Sequence, residues 1–287
     1  MKKVYFISFL LIAALCASQN VVRPPIWGIA KMTYLISSEQ LANRYYHLFL
    51  GFDYAFSYPS EEGVRLVYKV NDRQFLEFIV DSEAKWKNRF VSVSFETKDC
   101  NQMEQYLRSK SVVIDSPSHL DRAGNKVLLV HDPSGLAVEF VEYMPASLHK
   151  RSKGHFLSAN RISTRIHHVG LFTTEMNDAP SFYTQILGCK LVTRYPQSQA
   201  EVPKMLYFQL PDCAEMIENY SPSNDQNFCH PCFVTPDIQE VFYKLKERRT
   251  VEKLGGPMVG KGKRWLLNLT NADETKVEFT EPYIATF

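Results

Sequence analysis

VEFVEY, at Val138–Tyr143, and VEFTEP, at Val277–Pro282, are near copies placed almost half the chain apart. In each, apolar side chains alternate with polar ones, the period of two that marks a half-buried β-strand. Each follows a turn-forming run, HDPSG at His131–Gly135 and TNADET at Thr270–Thr275, built from the Asp, Asn, Pro and Gly that turns favour. Upstream, YYHLFLGF (Tyr45–Phe52) matches FYTQILGC (Phe182–Cys189) at nearly the same offset. Two matches at almost one offset make the chain a tandem repeat. The joint falls in the basic, polar stretch 146–163, between halves at 19–145 and 164–287.

Each half divides again. In the first quarter a strand, IAKMTYLI (Ile29–Ile36), leads to a helix over 39–50, capped by Ser37 or Ser38 and stopped by Gly51. Strands follow near 54–58, 64–70 and 74–80. The second quarter opens with FVSVSFET (Phe90–Thr97); Asp99 caps a helix over 102–109, and strands follow near Val112, 126–131 and 137–143. The third opens with HHVGLFT (His167–Thr173). The fourth opens with HPCFVT (His230–Thr235), after which Asp237 caps IQEVFYKLKE. The predicted fold is α+β: four βαβββ units in two pairs.

Composition agrees with a packed protein: 287 residues, 45% hydrophobic and 22% charged. A net charge of +2 excludes the strong basic field of a nucleic-acid-binding protein. The one dense basic run, HKRSKGH at His149–His155, reads as a solvated linker. Residues 1–18 have the order of a secretory signal: Lys2 and Lys3, an apolar run Val4–Leu15, then small residues. That run is too short to span a membrane comfortably. The expectation is an exported chain, periplasmic in a cell that has a periplasm, with no membrane attachment after cleavage. Cys16 would leave with the signal, and the five cysteines that remain cannot all pair within one chain.

The paired βαβββ units, with FYTQILGCKLV and DPSGLAVEF, resemble the vicinal oxygen chelate superfamily, which includes glyoxalase I, extradiol dioxygenases and bleomycin-binding proteins. The resemblance runs from about Pro25 to the C-terminus. It implies two tandem glyoxalase-like domains, each a curled mixed-sheet cup flanked by helices. It further implies one divalent metal per cup, held by a ligand from the first and the last strand of each unit.

On that template the second half offers His168 and His230 from first strands and Glu278 from a last strand. Glu215 is placed by carrying Glu77 forward at the repeat offset, and a slip of register would put Met216 or Glu218 there instead. Two imidazoles and two carboxylates suit Ni, Fe, Mn, Co or Zn and leave positions open for a substrate. The first half offers Lys31, Glu77, Ser92 and Glu139. Both histidines are gone, and the ammonium of Lys31 falls where a cation belongs. The expectation is a degenerate site in the first half and one working metal site in the second, each half a self-contained cup.

The resemblance therefore implies a metal-dependent enzyme acting on a small substrate with vicinal oxygens. The first form is a lyase or isomerase of glyoxalase type, stabilising an enediolate while Glu278 or Glu215 moves a proton. One alternative is an Fe(II) extradiol-type dioxygenase using His168, His230 and Glu278; RWLLNLT lacks the tyrosine such enzymes carry on that strand. Another is a small-molecule-binding protein without turnover. FCHPCF, Phe228–Phe233, carries a CxxC, but it precedes a strand rather than a helix N-terminus, where low-pKa thiols sit. It reads as a histidine motif centred on His230, with Cys232 on the same strand face and Cys229 on the other.

Overall fold

The structure, a computed structural model, describes residues 21–81, 83, 89–221, 229–248 and 254–285. The leader-like segment 1–18 lies outside the described residues. Two eight-stranded mixed sheets carry the fold, one in each half. The first has the order β2-β3-β4-β1-β5-β8-β7-β6. Its strands are β1 (Ile26–Ile36), β2 (Asp53–Ser60), β3 (Gly63–Lys69), β4 (Phe75–Val80), β5 (Phe90–Thr97), β6 (Ser116–Leu120), β7 (Lys126–His131) and β8 (Ala137–Glu142). The second repeats that order as β10-β11-β12-β9-β13-β16-β15-β14. Its strands are β9 (Ile166–Phe172), β10 (Lys190–Tyr195), β11 (Met205–Gln209), β12 (Met216–Tyr220), β13 (His230–Val234), β14 (Met258–Val259), β15 (Trp265–Thr270) and β16 (Lys276–Thr280). Among the described residues no strand crosses from one sheet to the other, so each cup is built from its own half of the chain.

The helices sit where the capping residues put them. Ser38 accepts from the Leu41 amide and opens α1 (Glu39–Ala42), which runs into a π-helical stretch at Asn43–Phe49. Gly51 ends it at φ +79°, and a Cβ there would lie 2.2 Å from the Asn160 carbonyl oxygen, so both conformation and space call for glycine. Asp99 caps α2 (Cys100–Ser109) through the Gln102 amide. A short α3 (Leu148–Arg151) lies in the joint. A second π-helical stretch covers Ser181–Ile186, and α4 covers Ile238–Arg248 with Asp237 accepting from the Glu240 amide. Among the described residues no helix is long and apolar enough to cross a membrane.

One continuous apolar cluster joins the halves, with Phe52 against Phe233 at 5.0 Å between ring centroids. The repeat is visible in how they grip each other. The Tyr46 hydroxyl meets Thr275 Oγ1 at 2.6 Å, while that of Tyr183, its counterpart, donates to Asp132 at 2.9 Å. The helix of each half's first unit thus locks onto the last turn of the other half.

Two expectations need correcting. The strand expected near Val112 begins at Ser116, because the Val112 amide still bonds back to the Leu107 carbonyl at the end of α2. The run His149–His155 is not a freely solvated linker. His149 is 1% exposed, boxed by the rings of Phe56, Phe75 and Tyr143. The buried Lys69 ammonium donates to the carbonyls of Ser152 and His155. Carbonyl acceptors have no sequence signature, so this tether is invisible in the residue order.

Candidate metal centre

The adjacent strands β12, β9, β13 and β16 bring Glu218, His168, His230 and Glu278 together. One ligand atom from each lies within 4.8 Å of all the others. The register explains this. His168 stands opposite Cys232, which stands opposite Glu278, while Gly170 stands opposite both His230 and Glu218. Alternation then points all four side chains to one face. Gly170 is required by the fit: a Cβ there would lie 2.2 Å from His230 Cε1. The imidazole lies across the strand where that side chain would be.

His168 Nε2 is 3.5 Å from Glu218 Oε2 and 3.7 Å from Glu278 Oε1, and His230 Nε2 is 3.8 Å from Glu278 Oε2. These gaps exceed a good hydrogen bond. They are of the size that separates donor atoms each about 2.1 Å from a shared cation. His168 Nε2 is buried and has no hydrogen-bond partner among the described residues. The donor set therefore fits a divalent cation.

Burial pushes the Glu278 carboxyl up, with Glu218 adding to it and Lys276 and His168 opposing. Burial would also raise Glu218, but His168 and Lys276 outweigh it and hold that carboxylate below its ordinary value. Two buried carboxylates so placed repel each other unless a cation stands between them. The neighbours orient the set. His167 Nδ1 faces His168 Nδ1 at 3.0 Å. For His168 to offer its Nε2 lone pair, its Nδ1 must carry the hydrogen and His167 must accept it. Burial and then His168 push His167 down to about 3, so it is neutral and able to accept. The Cys232 thiol donates to Glu278 Oε1 at 3.3 Å. Tyr207, on β11, holds its hydroxyl against Glu218 and its ring 5.4 Å from that of His168.

Glu215 is not in the cluster. It lies just before β12 and reaches into the other half, accepting from the Ile29 amide at 2.5 Å and from Gln74 Nε2 at 2.9 Å. Its place in the site belongs to Glu218. Lys31 and His168, and likewise Glu139 and Glu278, stand at nearly one offset, but Glu77 and Glu218 are farther apart than either pair. The extra length lies in the connections between β10 and β12, and no offset taken from the ends of the repeat could count it.

In the first half the corresponding residues also converge. Lys31 Nζ lies 3.1 Å from Glu77 Oε2 and 3.1 Å from Glu139 Oε1. Burial alone would push this ammonium down, but Glu139 and Glu77 outweigh it and hold it well above the ordinary lysine range. Ser92 is buried opposite Thr33, at the position His230 takes opposite Gly170. The pattern missed the rest of the network. Tyr58 donates to Glu77 at 2.9 Å, Arg65 reaches Glu77 at 3.3 Å, Ser94 donates to Glu139 at 2.7 Å, and His149 Nε2 stands 3.4 Å from Glu77. Arg65 lies on β3, beside β4, and Tyr58 on β2, one strand farther out. Only the register of Tyr58 with Arg65 and of Val67 with Glu77 reveals the neighbourhood.

Residues 165–279 match the family model described as Glyoxalase/Bleomycin resistance protein/Dioxygenase superfamily. No curated protein matches the chain in sequence. Among solved structures it is similar to the 2,3-dioxygenase LapB from Pseudomonas sp. KL28, with 12% identity and a TM-score of 0.71 over 92% of this chain and 96% of that one. It is also similar to homoprotocatechuate 2,3-dioxygenase from Brevibacterium fuscum, with 15% identity and a TM-score of 0.66 over 91% and 82%. The enzyme of the same name from Arthrobacter globiformis gives 15% and 0.68 over 91% and 81%. At these identities the likeness is one of fold.

Proposed function

From the match of residues 165–279 to the glyoxalase/bleomycin resistance protein/dioxygenase family model, we propose that the chain is a mononuclear metal-dependent enzyme. Its substrate is a small molecule presenting two adjacent oxygens. The reaction that fits best is ring-cleaving dioxygenation of an aromatic vicinal diol. One observation carries this: a His168, Glu218, His230, Glu278 cluster, three of its members buried, in the second of two tandem cups, in a fold similar over 96% of the LapB 2,3-dioxygenase chain. The lyase reading made from the ligand set alone takes second place.

His168, His230 and Glu278 would hold the cation, the two-histidine, one-carboxylate set that suits Fe(II). A bound Fe(II) would supply Lewis acidity toward the substrate oxygens and electrons toward dioxygen. The chain's own residues do the rest. Glu218, held ionised, is placed to take a proton from a substrate hydroxyl. Tyr207, beside it, orients that carboxylate. His167 and Cys232 fix the direction of His168 and Glu278, and the surrounding apolar strand faces keep bulk water away. The second reading, an isomerase or lyase, rests on Glu218 itself. A fourth ligand carboxylate is dispensable for dioxygenation but is the natural base for moving a proton between adjacent carbons.

The test is metal content followed by reconstitution. Purified protein should carry about one divalent metal per chain. After chelation and anaerobic reloading with Fe(II), it should consume oxygen with 3,4-dihydroxyphenylacetate as probe. Glu218→Gln should retain oxygen consumption in part. Turnover of a hemithioacetal with Ni or Zn but no oxygen uptake with Fe(II) would favour the lyase. Binding without turnover of either probe would refute both.

A further inference from the structure

The first half keeps a cup of its own. A cleft of about 840 Å3 opens there, lined by Lys31, Arg65, Tyr58, Ser118, Leu128 and Glu139 among others. Lys31 and Glu139 occupy the strand positions that His168 and Glu278 occupy in the metal cluster. The volume lies within the roughly 300–1,000 Å3 of small-molecule sites. Burying such an ionic network carries a desolvation cost, and an apolar core of the same shape is commonly no less stable. Its presence at the base of an open cleft points to use rather than to stability.

The polar groups left over define what would fit. Two of the three Lys31 N–H donors go to Glu77 and Glu139. Arg65 engages Glu77 and Glu62 through its terminal nitrogens. Among the described residues its Nε and the Ser118 Oγ have no hydrogen-bond partner although both atoms are buried. Glu139 engages Lys31 and Ser94 through Oε1, and its second oxygen remains as an acceptor. The residues that carry these donors and this acceptor line one cavity whose walls include Tyr58, Val127 and Leu128. The charges nearly cancel: Lys31, Arg65 and Arg122 face Glu61, Glu62, Asp121 and Glu139. An ion of either sign would meet its own sign here, whereas a neutral group that both donates and accepts would meet partners.

We propose that the N-terminal cup is a metal-independent binding site for a neutral, hydroxyl-bearing small molecule, held by Lys31, Arg65, Ser118 and Glu139. The site needs no metal, so it stands whether or not the C-terminal cup is a dioxygenase. The test uses the full chain after chelator treatment, titrated with myo-inositol and with methyl β-glucoside by ligand-observed NMR and calorimetry. Saturable binding of at least one probe, one per chain, is expected. Glu139→Gln should weaken it at least tenfold and Ser118→Ala several-fold, with circular dichroism showing both variants folded. Ser118→Ala removes no charge and carries the test should Glu139→Gln not fold. The proposal is overturned by no saturable binding of either polyol to folded protein. It is equally overturned by binding that the folded variants leave unchanged, or by tighter binding of inorganic phosphate or spermine than of the polyols.

Discussion

Replacing Lys31 by Met removes the cation that touches both Glu77 and Glu139, at 3.1 Å from each, while leaving a side chain of similar length. Lys31 is 1% exposed and Glu77 fully buried, so solvent screens the ion pair little. Breaking a buried ion pair from one side costs about 3–5 kcal/mol, because the surviving charge is stranded. Arg65 still reaches Glu77 at 3.3 Å, which places the expected loss near the lower end, about 3 kcal/mol. The pH dependence is a second signature. Burial would raise the Glu77 carboxyl, but Lys31, His149 and Arg65 hold it well below the ordinary range. A depressed carboxylate contributes stability above its unfolded value of about 4.3, lost as pH falls through the folded value. In Lys31→Met much of that depression goes, and a proton can relieve the stranded pair. The gap between wild type and variant should therefore be widest at pH 7–8 and should narrow toward pH 5. Urea unfolding at several pH values measures it, compared at equal m-value. A gap below about 1 kcal/mol at pH 7, or one that does not change with pH, would refute the view that Lys31 neutralises this site.

In the second half, His168→Ala should abolish stoichiometric metal in an elemental assay. Glu218→Gln should keep about one metal per chain, because His168, His230 and Glu278 remain to hold it; loss of stoichiometric metal would place Glu218 in the ligand set and favour the lyase reading. Gly170→Ala should displace the His230 ring, given the 2.2 Å approach of a Cβ to Cε1, and metal should be lost from a chain that circular dichroism shows folded. Burial pushes Glu215 up to about 7, above its unfolded value of about 4.3, so its share of stability is present below 4.3 and is lost as pH rises through 7. Glu215→Gln should accordingly gain on wild type as pH rises from 5 to 8, by roughly 2–3 kcal/mol at most, and a constant difference in urea midpoints across that range would contradict the assignment. Burial pushes the Cys229 thiol up to about 12 and holds Cys232 well above its ordinary value. Both should resist a disulfide-exchange reagent at pH 8 until the chain is unfolded, and rapid labelling of the native protein would count against their burial.

The sequence by itself determined the repeat and its strands. A strand with one face buried must alternate, and VEFVEY and VEFTEP could therefore be read without coordinates. It also determined the ends of most helices, because Ser38, Asp99, Asp237 and Gly51 act on their immediate neighbours. His168, His230 and Glu278 were legible for a related reason: they sit on first and last strands whose spacing the repeat nearly preserves. The structure decided what depends on register between strands far apart in sequence. Glu215 and Glu218 are close neighbours in the chain, yet one reaches Ile29 and Gln74 of the other half and the other turns into the cluster. Only the pairing of Glu218 with Gly170 distinguishes them. Gly170 could not be read as making room for His230, nor Arg65, Tyr58 and His149 as closing around Glu77. Those contacts arise from sheet curvature and from a joint that folds back to bring His149 against Glu77, distant in the chain. Periodicity records which face of an element is buried. What that face meets is settled by packing between elements, which no single stretch of chain encodes.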